Sequence, residues 1–357
     1  MPLDAERVRR LPKVTLHDHL DGGVRPQTVV DLCRENGHPL PTADPDELQA
    51  WIFQQCSAGS LVEYLKPFDL TVAGMQTPDQ LARVAEEFVA DMAADGVVYA
   101  ETRWAPEQHQ RLGLGLDDAV LAVREGLERG MASAAAAGTP VVARQLLVSM
   151  RHEEPTLRIA ELAVAHRDHG VAGFDIAGAE DGFPPSRHRA AFDLLKRNNA
   201  FYTIHAGEAF GLPSIWEAVQ LCGTQRLGHG VRLVDDIDTS GPEPVLGRLA
   251  TYVRDARICL EVAPTSNLQT GIAPTLSEHP IGLLFDLGFR VTVNCDNRLM
   301  SNTTLTKELV ALSETFGWGV DELQRIAISS IHSAFWNHPD RERMIAEVIV
   351  PAHAAAR

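Results

Sequence analysis

Eight short runs rich in valine, isoleucine, leucine and alanine recur along the 357-residue chain, and stretches with helical spacing separate them. They lie at residues 14–20, 97–104, 141–150, 171–178, 201–205, 226–231, 258–263 and 289–294. Strands that alternate with helices pair in parallel, and eight such units in one chain fit an α/β fold closed as a (β/α)8 TIM-type barrel with additional helices. An open doubly wound sheet is the competing arrangement. It is weakened because no Gly-x-Gly-x-x-Gly follows the first run and no Gly-x-x-x-x-Gly-Lys loop occurs.

Helix signals fill the intervals. Pro26 suits a first turn and Gly37 a helix end. Thr77, Pro78 and Gln80 supply an N-cap, a first-turn proline and a capping-box partner. Leu81, Val84, Ala85, Phe88, Val89 and Met92 then mark one face, and Gly96 ends it. Further helices are expected near 117–137, 155–169, 186–198, 214–222, 242–256 and 279–287, and again over about 302–355. Residues 59–73 do not alternate like a strand, and Pro67 interrupts them. Leu61, Tyr64, Leu65 and Phe68 fall there at helical spacing, so the segment either packs on the barrel wall or covers a pocket. Length alone permits two domains, but one barrel spans about 200 to over 400 residues, so a single domain over 1–357 is expected. A domain of this size buries about three quarters of its unfolded surface and can enclose a polar site.

The formal net charge of −16 argues against nucleic acid or an anionic membrane as partner and leaves small neutral or cationic ligands. The five cysteines are odd in number and form no Cys-x-x-Cys pair, which suits a reduced compartment. The opening MPLDAERVRR lacks an apolar signal core, and no 18-residue apolar run occurs, so a soluble cytoplasmic protein is expected.

In such a barrel, chemistry sits at the C-terminal ends of the strands. His17 and His19 share one face of the first strand, and Asp21 follows them. The fifth strand ends in His205-Ala-Gly-Glu208, the sixth carries His229, and the eighth runs into Asp296-Asn297. Any one of these is an ordinary core or capping residue; together they point to one rim. Neutral imidazoles from His17, His19 and His205 with an oxygen from Asp296 suit zinc, which keeps a position for water in catalytic sites. A bound metal lowers the pKa of water from 15.7 to about 7. Asp296 can orient that water, a protonated Glu208 can act as general acid, and His229 can stabilise charge on the attacking oxygen or help move its proton. The remaining histidines are expected in ordinary surface or helix roles.

Taken in order, TLHDHLDGGVRP, SLVEYLKPFDLT, YAETRWAP, FDIAGAE, HAGE, LGHGV, EVAPTSN and VNCDN resemble the adenosine deaminase family of metal-dependent amidohydrolase barrels over nearly the whole chain. The resemblance implies purine-salvage chemistry with one zinc ion per chain. Adenosine and 2′-deoxyadenosine become inosine and 2′-deoxyinosine plus ammonia, by hydroxide attack at purine C6 with Glu208 donating to N1. His17, His19, His205 and Asp296 match the metal ligands, and His229 the histidine beside the hydroxide. On the substrate side, Asp21 matches the partner of the ribose 5′-hydroxyl next to His19, and Gly178 the backbone N–H at purine N3. Leu61, Tyr64, Leu65 and Phe68 match a hydrophobic gate.

Three positions depart from the family's pattern. Asn297 stands for a usual aspartate facing purine N7; an amide donates to that acceptor at any pH, whereas a carboxyl must be protonated to do so. Ala263 and Cys295 replace a common cysteine and threonine as packing variants. Two other readings compete: a deaminase of adenine or a modified adenosine, and a non-catalytic nucleoside-binding relative. The cytidine-deaminase type of zinc site is excluded because no Pro-Cys-x-x-Cys occurs.

Overall fold

The computed structural model describes residues 3–357. Strands β1 (Lys13–His19), β2 (Val97–Trp104), β3 (Val142–Met150) and β4 (Val171–Ala177) pair in that order, all parallel. Strands β5 (Thr203–Ala206), β6 (Arg226–His229), β7 (Cys259–Val262) and β8 (Val291–Val293) make a second parallel sheet in sequential order. Single bridges join the sheets at both edges, Phe174 with Tyr202 and Asp18 with Asp296. The Phe174 N–H donates to the Phe201 carbonyl at 3.1 Å. On the other seam the Asp296 N–H donates to the His17 carbonyl at 3.0 Å, and the His19 N–H to the Asp296 carbonyl at 2.7 Å. The result is the expected closed eight-stranded barrel, and closure removes the free edges. One seam therefore consists of the backbone of three predicted site residues.

The crossover helices form where their caps are encoded. Thr77 Oγ1 accepts from the Gln80 N–H at 3.3 Å while Gln80 Oε1 accepts from the Thr77 N–H at 3.2 Å, starting the helix Pro78–Ala94. All six residues of its expected apolar face are buried, at about 1.5–3 kcal/mol for each large side chain. It packs on the helix Leu116–Ala136, where a Cβ at Gly126 would lie 2.1 Å from the Ala82 carbonyl oxygen. Only glycine permits that approach.

Two expectations change in detail. The 59–73 segment forms two short helices, Leu61–Tyr64 and Phe68–Gly74, with Pro67 capping the second. The helix expected over 242–256 covers only Arg248–Asp255; ahead of it Val245–Leu246 pairs antiparallel with Ile237–Asp238. Pro242 and Pro244 explain this, since Pro244 forces the residue before it into extended backbone. A capped helix at Pro45–Cys56, started by Asp44, was not anticipated. Among the described residues no helix is long and apolar enough to cross a membrane.

Candidate active site

At the C-terminal mouth of the barrel, His17 Nε2 lies 3.2 Å and His19 Nε2 3.3 Å from Asp296 Oδ1. His19 Nε2 and His205 Nε2 are 3.4 Å apart. His229 stands beside them, its ring centroid 4.8 Å from that of His17, and ligand atoms of His17, His205, His229 and Asp296 all fall within 4.8 Å of one another. Both His229 and Asp296 sit at positive φ, 63° and 58°. For non-glycine residues that conformation costs on the order of 1–3 kcal/mol and persists only where surroundings enforce it. The barrel seam enforces it at Asp296. The Ser266 hydroxyl donates to Asp296 Oδ2 at 2.7 Å, and Asn267 Nδ2 lies 3.0 Å from His229 Nδ1.

Beneath the rings lies a tier of buried charge. Asp175 Oδ2 is 2.8 Å from His205 Nδ1, and Glu261 Oε2 is 3.2 Å from His17 Nδ1. Arg103 donates to both carboxylates, at 2.6 and 2.7 Å, and to the Leu16 carbonyl at 2.5 Å. Arg226 pairs with Glu261 at 2.5 Å and Glu101 at 2.7 Å. Carboxylates behind the Nδ1 atoms fix ring orientation and leave Nε2 for the centre.

The electrostatics match that arrangement. Burial, reinforced by Arg103, pushes His17 down to about 4, and burial drives His19 well below its usual range. Both rings are therefore neutral near pH 7, as metal ligation requires. At His205 burial opposes the cation, but Asp175 outweighs it and the shift is upward. Burial also opposes the Asp296 carboxylate, yet the His17 and His19 nitrogens hold it well below the carboxylate range. His17 is fully buried, and its Nε2, although 3.2 Å from Asp296 Oδ1, makes no well-formed hydrogen bond. Buried polar atoms are rarely left so. Three imidazoles, a carboxylate and an orphaned Nε2 fit a divalent ion of nitrogen and oxygen preference such as zinc.

A cavity of about 200 Å³ opens on this cluster, and every predicted site residue except His17 lines it. Glu208 is buried, with Oε2 3.6 Å from His229 Nε2 and Oε1 unpartnered. Burial raises its pKa, so it keeps its proton to higher pH than an ordinary carboxyl. Its loop is set by Glu180, whose carboxylate accepts from the N–H groups of Gly207 at 2.6 Å, Glu208 at 3.0 Å and Phe210 at 2.8 Å. Asp21, raised to about 7 by burial, has Oδ1 unpartnered. Gly178 sits at φ 104°, and a Cβ there would meet His152 Nδ1 at 2.8 Å. Leu61, Tyr64, Leu65 and Phe68 form an apolar wall of the cavity itself, with the Tyr64 and Phe68 rings 6.4 Å apart.

Sequence reasoning assigned no role to Arg103, Asp175, Glu180, Glu261, Ser266 or Asn267. The signal was present: Asp175 and Glu261 interrupt otherwise apolar strands, and a charge buried in a strand needs a partner. One expectation is corrected. Among the remaining histidines, His279 is buried with Nε2 3.3 Å from Asn267 Oδ1, so it belongs to the tier behind His229. His109 and His188 are likewise core residues.

Fold and site together define a metal-dependent hydrolase barrel of the amidohydrolase type. A family profile described as adenosine deaminase matches residues 12–351. Adenosine deaminase 1 of Streptomyces coelicolor is 55% identical over 98% of this chain and 89% of its own length. Adenosine deaminase of Mycobacterium marinum is 54% identical over 99% and 97%. A zinc-bound amidohydrolase from Burkholderia ambifaria superposes with a TM-score of 0.84 at 26% identity, over 100% of this chain and 94% of that one. Adenine deaminase from Arthrobacter aurescens shares the fold, with a TM-score of 0.80 at 23% identity over 95% and 98%. The chain belongs to the adenosine deaminase family and is a deaminase.

Proposed function

We propose that the chain hydrolyses adenosine and 2′-deoxyadenosine to inosine and 2′-deoxyinosine with release of ammonia. His17, His19, His205 and Asp296 would hold one zinc ion per chain. The observation that carries the reading is the meeting of these four side chains beside the buried Glu208 carboxyl in one cavity. Zinc, when bound, supplies a hydroxide nucleophile at neutral pH.

The chain's own residues do the rest. Glu208 delivers its proton to purine N1, which draws electron density from C6 and prepares it for attack. Asp296, whose Oδ2 is held by Ser266, accepts a hydrogen bond and orients the nucleophile. His229, held by Asn267, stabilises charge on the attacking oxygen and helps move its proton towards the departing amine. Asp21 takes the ribose 5′-hydroxyl beside His19, the Gly178 N–H meets N3, and Asn297 donates to N7. The Leu61–Tyr64–Leu65–Phe68 wall excludes water from the bound base.

Asp21 in the cavity favours a ribose-bearing substrate over free adenine. No lysine or arginine lines the cavity, so a nucleotide phosphate finds no cation there. We read residues 1–357 as one domain. All five cysteines are buried and unpaired, which suits a reducing cytoplasm, where purine salvage would use this reaction. An absorbance assay of metal-loaded protein against adenosine, 2′-deoxyadenosine, adenine and AMP tests the reading. The two nucleosides should be turned over far faster, chelation should abolish the activity, and preference for adenine or AMP would overturn the assignment.

A further inference from the structure

A line of buried hydrogen bonds leads from the apolar wall to the base-recognition residue, and its direction can be worked out. Gln269 Nε2 lies 3.2 Å from the Met300 carbonyl oxygen, and a carbonyl only accepts. That end of the Gln269 amide is therefore its NH2 group, and Oε1 faces the Ser301 hydroxyl at 2.7 Å. Ser301 has one hydrogen and spends it on Gln269. The Tyr64 hydroxyl, 3.3 Å from Ser301 Oγ, must then be the donor in that pair. With its own hydrogen committed, the Tyr64 oxygen accepts from Asn297 Nδ2 at 3.0 Å. Asn297 Oδ1 packs over Gly22, where a Cβ would lie 1.8 Å away, so that glycine makes room for the orientation.

We propose that this directional chain, Met300–Gln269–Ser301–Tyr64, locks the Asn297 amide with one hydrogen spent on Tyr64 and the other kept for the acceptor nitrogen of the base, making Tyr64 and Ser301 positioning residues for substrate selectivity. The inference rests on the purine reading above. It also explains the amide at position 297. An amide nitrogen carries two hydrogens and serves both Tyr64 and the base, whereas a carboxyl carries at most one and must abandon one of them. Tyrosine at 64 and asparagine at 297 thus belong together.

Competitive inhibition constants for inosine and 7-deazainosine test this, because the 7-deaza ring has no acceptor at that position. Wild type should favour inosine. Tyr64→Phe and Ser301→Ala should each narrow that preference by about two- to tenfold, the range of one neutral hydrogen bond. Ser301 lines no part of the cavity, so its effect reads the chain and not a contact. Asn297→Asp should bind inosine weakly, and Tyr64→Phe added to it should recover about threefold or more, since removing the competing hydroxyl frees the single carboxyl hydrogen. Metal content and circular dichroism are matched across variants; if Tyr64→Phe does not fold, Ser301→Ala carries the test. An unchanged preference in either folded variant, or no recovery in the double variant, overturns the proposal. A wild type that turns over no adenosine would instead sink the functional reading, so the two failures are distinct.

Discussion

The two sheets that close the barrel are built differently. Strands β1 to β4 run seven, eight, nine and seven residues; β5 to β8 run four, four, four and three. The long strands hold Arg103 and Asp175 within the β2–β3 and β3–β4 ladders, where ladder geometry fixes buried side chains. The short ones release the chain early, and it leaves through left-handed backbone at Gly207, His229, Gly230 and Asp296. Those turns aim His205, Glu208, His229 and Asp296 into the mouth. One half is scaffold for charge, and the other trades ladder length for side-chain placement. His17 and His19 bridge the two across the seam.

This division predicts different kinds of damage. In the short-strand half, Glu208→Gln should leave the fold and metal content intact and reduce kcat by ~10²–10⁴; full turnover would remove its role as acid. Because burial raises the Glu208 pKa and the proposed donor is its protonated form, wild-type kcat/KM should fall as pH rises through that elevated value. A pH–rate profile that stays flat on the alkaline side would contradict it. In the long-strand half, Arg103→Met leaves Asp175 without its guanidinium and strips Glu261 of one of two. It should cost about 3–5 kcal/mol in urea unfolding. Asp175→Asn, a milder change behind His205, should weaken metal affinity by about 10–100-fold in a chelator competition, with little loss of stability.

The same contrast decided what could be read in advance. Strand β2 falls on its expected bounds, and β3 and β4 differ from theirs by a residue at one end, because long ladders follow the apolar run. In the other half the runs overshoot: 226–231 yields Arg226–His229, and 258–263 yields Cys259–Val262. Residues just past those ends look like strand in composition but leave the ladder, Gly230 through left-handed backbone and Ala263 as the cap of the helix Pro264–Gln269. The convergence of the candidate residues on one rim was legible, since packing alone seldom places titratable groups at one strand end after another. The tier behind them was not, because one carboxylate in an apolar run carries no record of its partner. Asp175 meets His205 and Arg103 only once the barrel closes.

Glu180 offers the smallest and sharpest test of the division. It follows β4, in the scaffold half, yet the three backbone N–H groups that its carboxylate accepts from lie on the Glu208 loop of the other half. A carboxylate presents only acceptors to those three N–H groups, whereas glutamine at 180 presents one oxygen and one NH2 group. The NH2 group would face a backbone donor, so the loop must shift or lose a bond. Hydrogen bonds to a charged acceptor are each worth about 1.5–3 kcal/mol, but the remaining oxygen retains part of the set. Glu180→Gln should therefore lower kcat by roughly tenfold through misplacement of the Glu208 carboxyl. Metal content and KM should stay near wild type, because the N–H groups that Glu180 holds belong neither to the proposed metal ligands nor to Asn297. A loss of metal of the size expected for Asp175→Asn would place Glu180 with the ligand scaffold instead, and the boundary between the two halves would have to be redrawn.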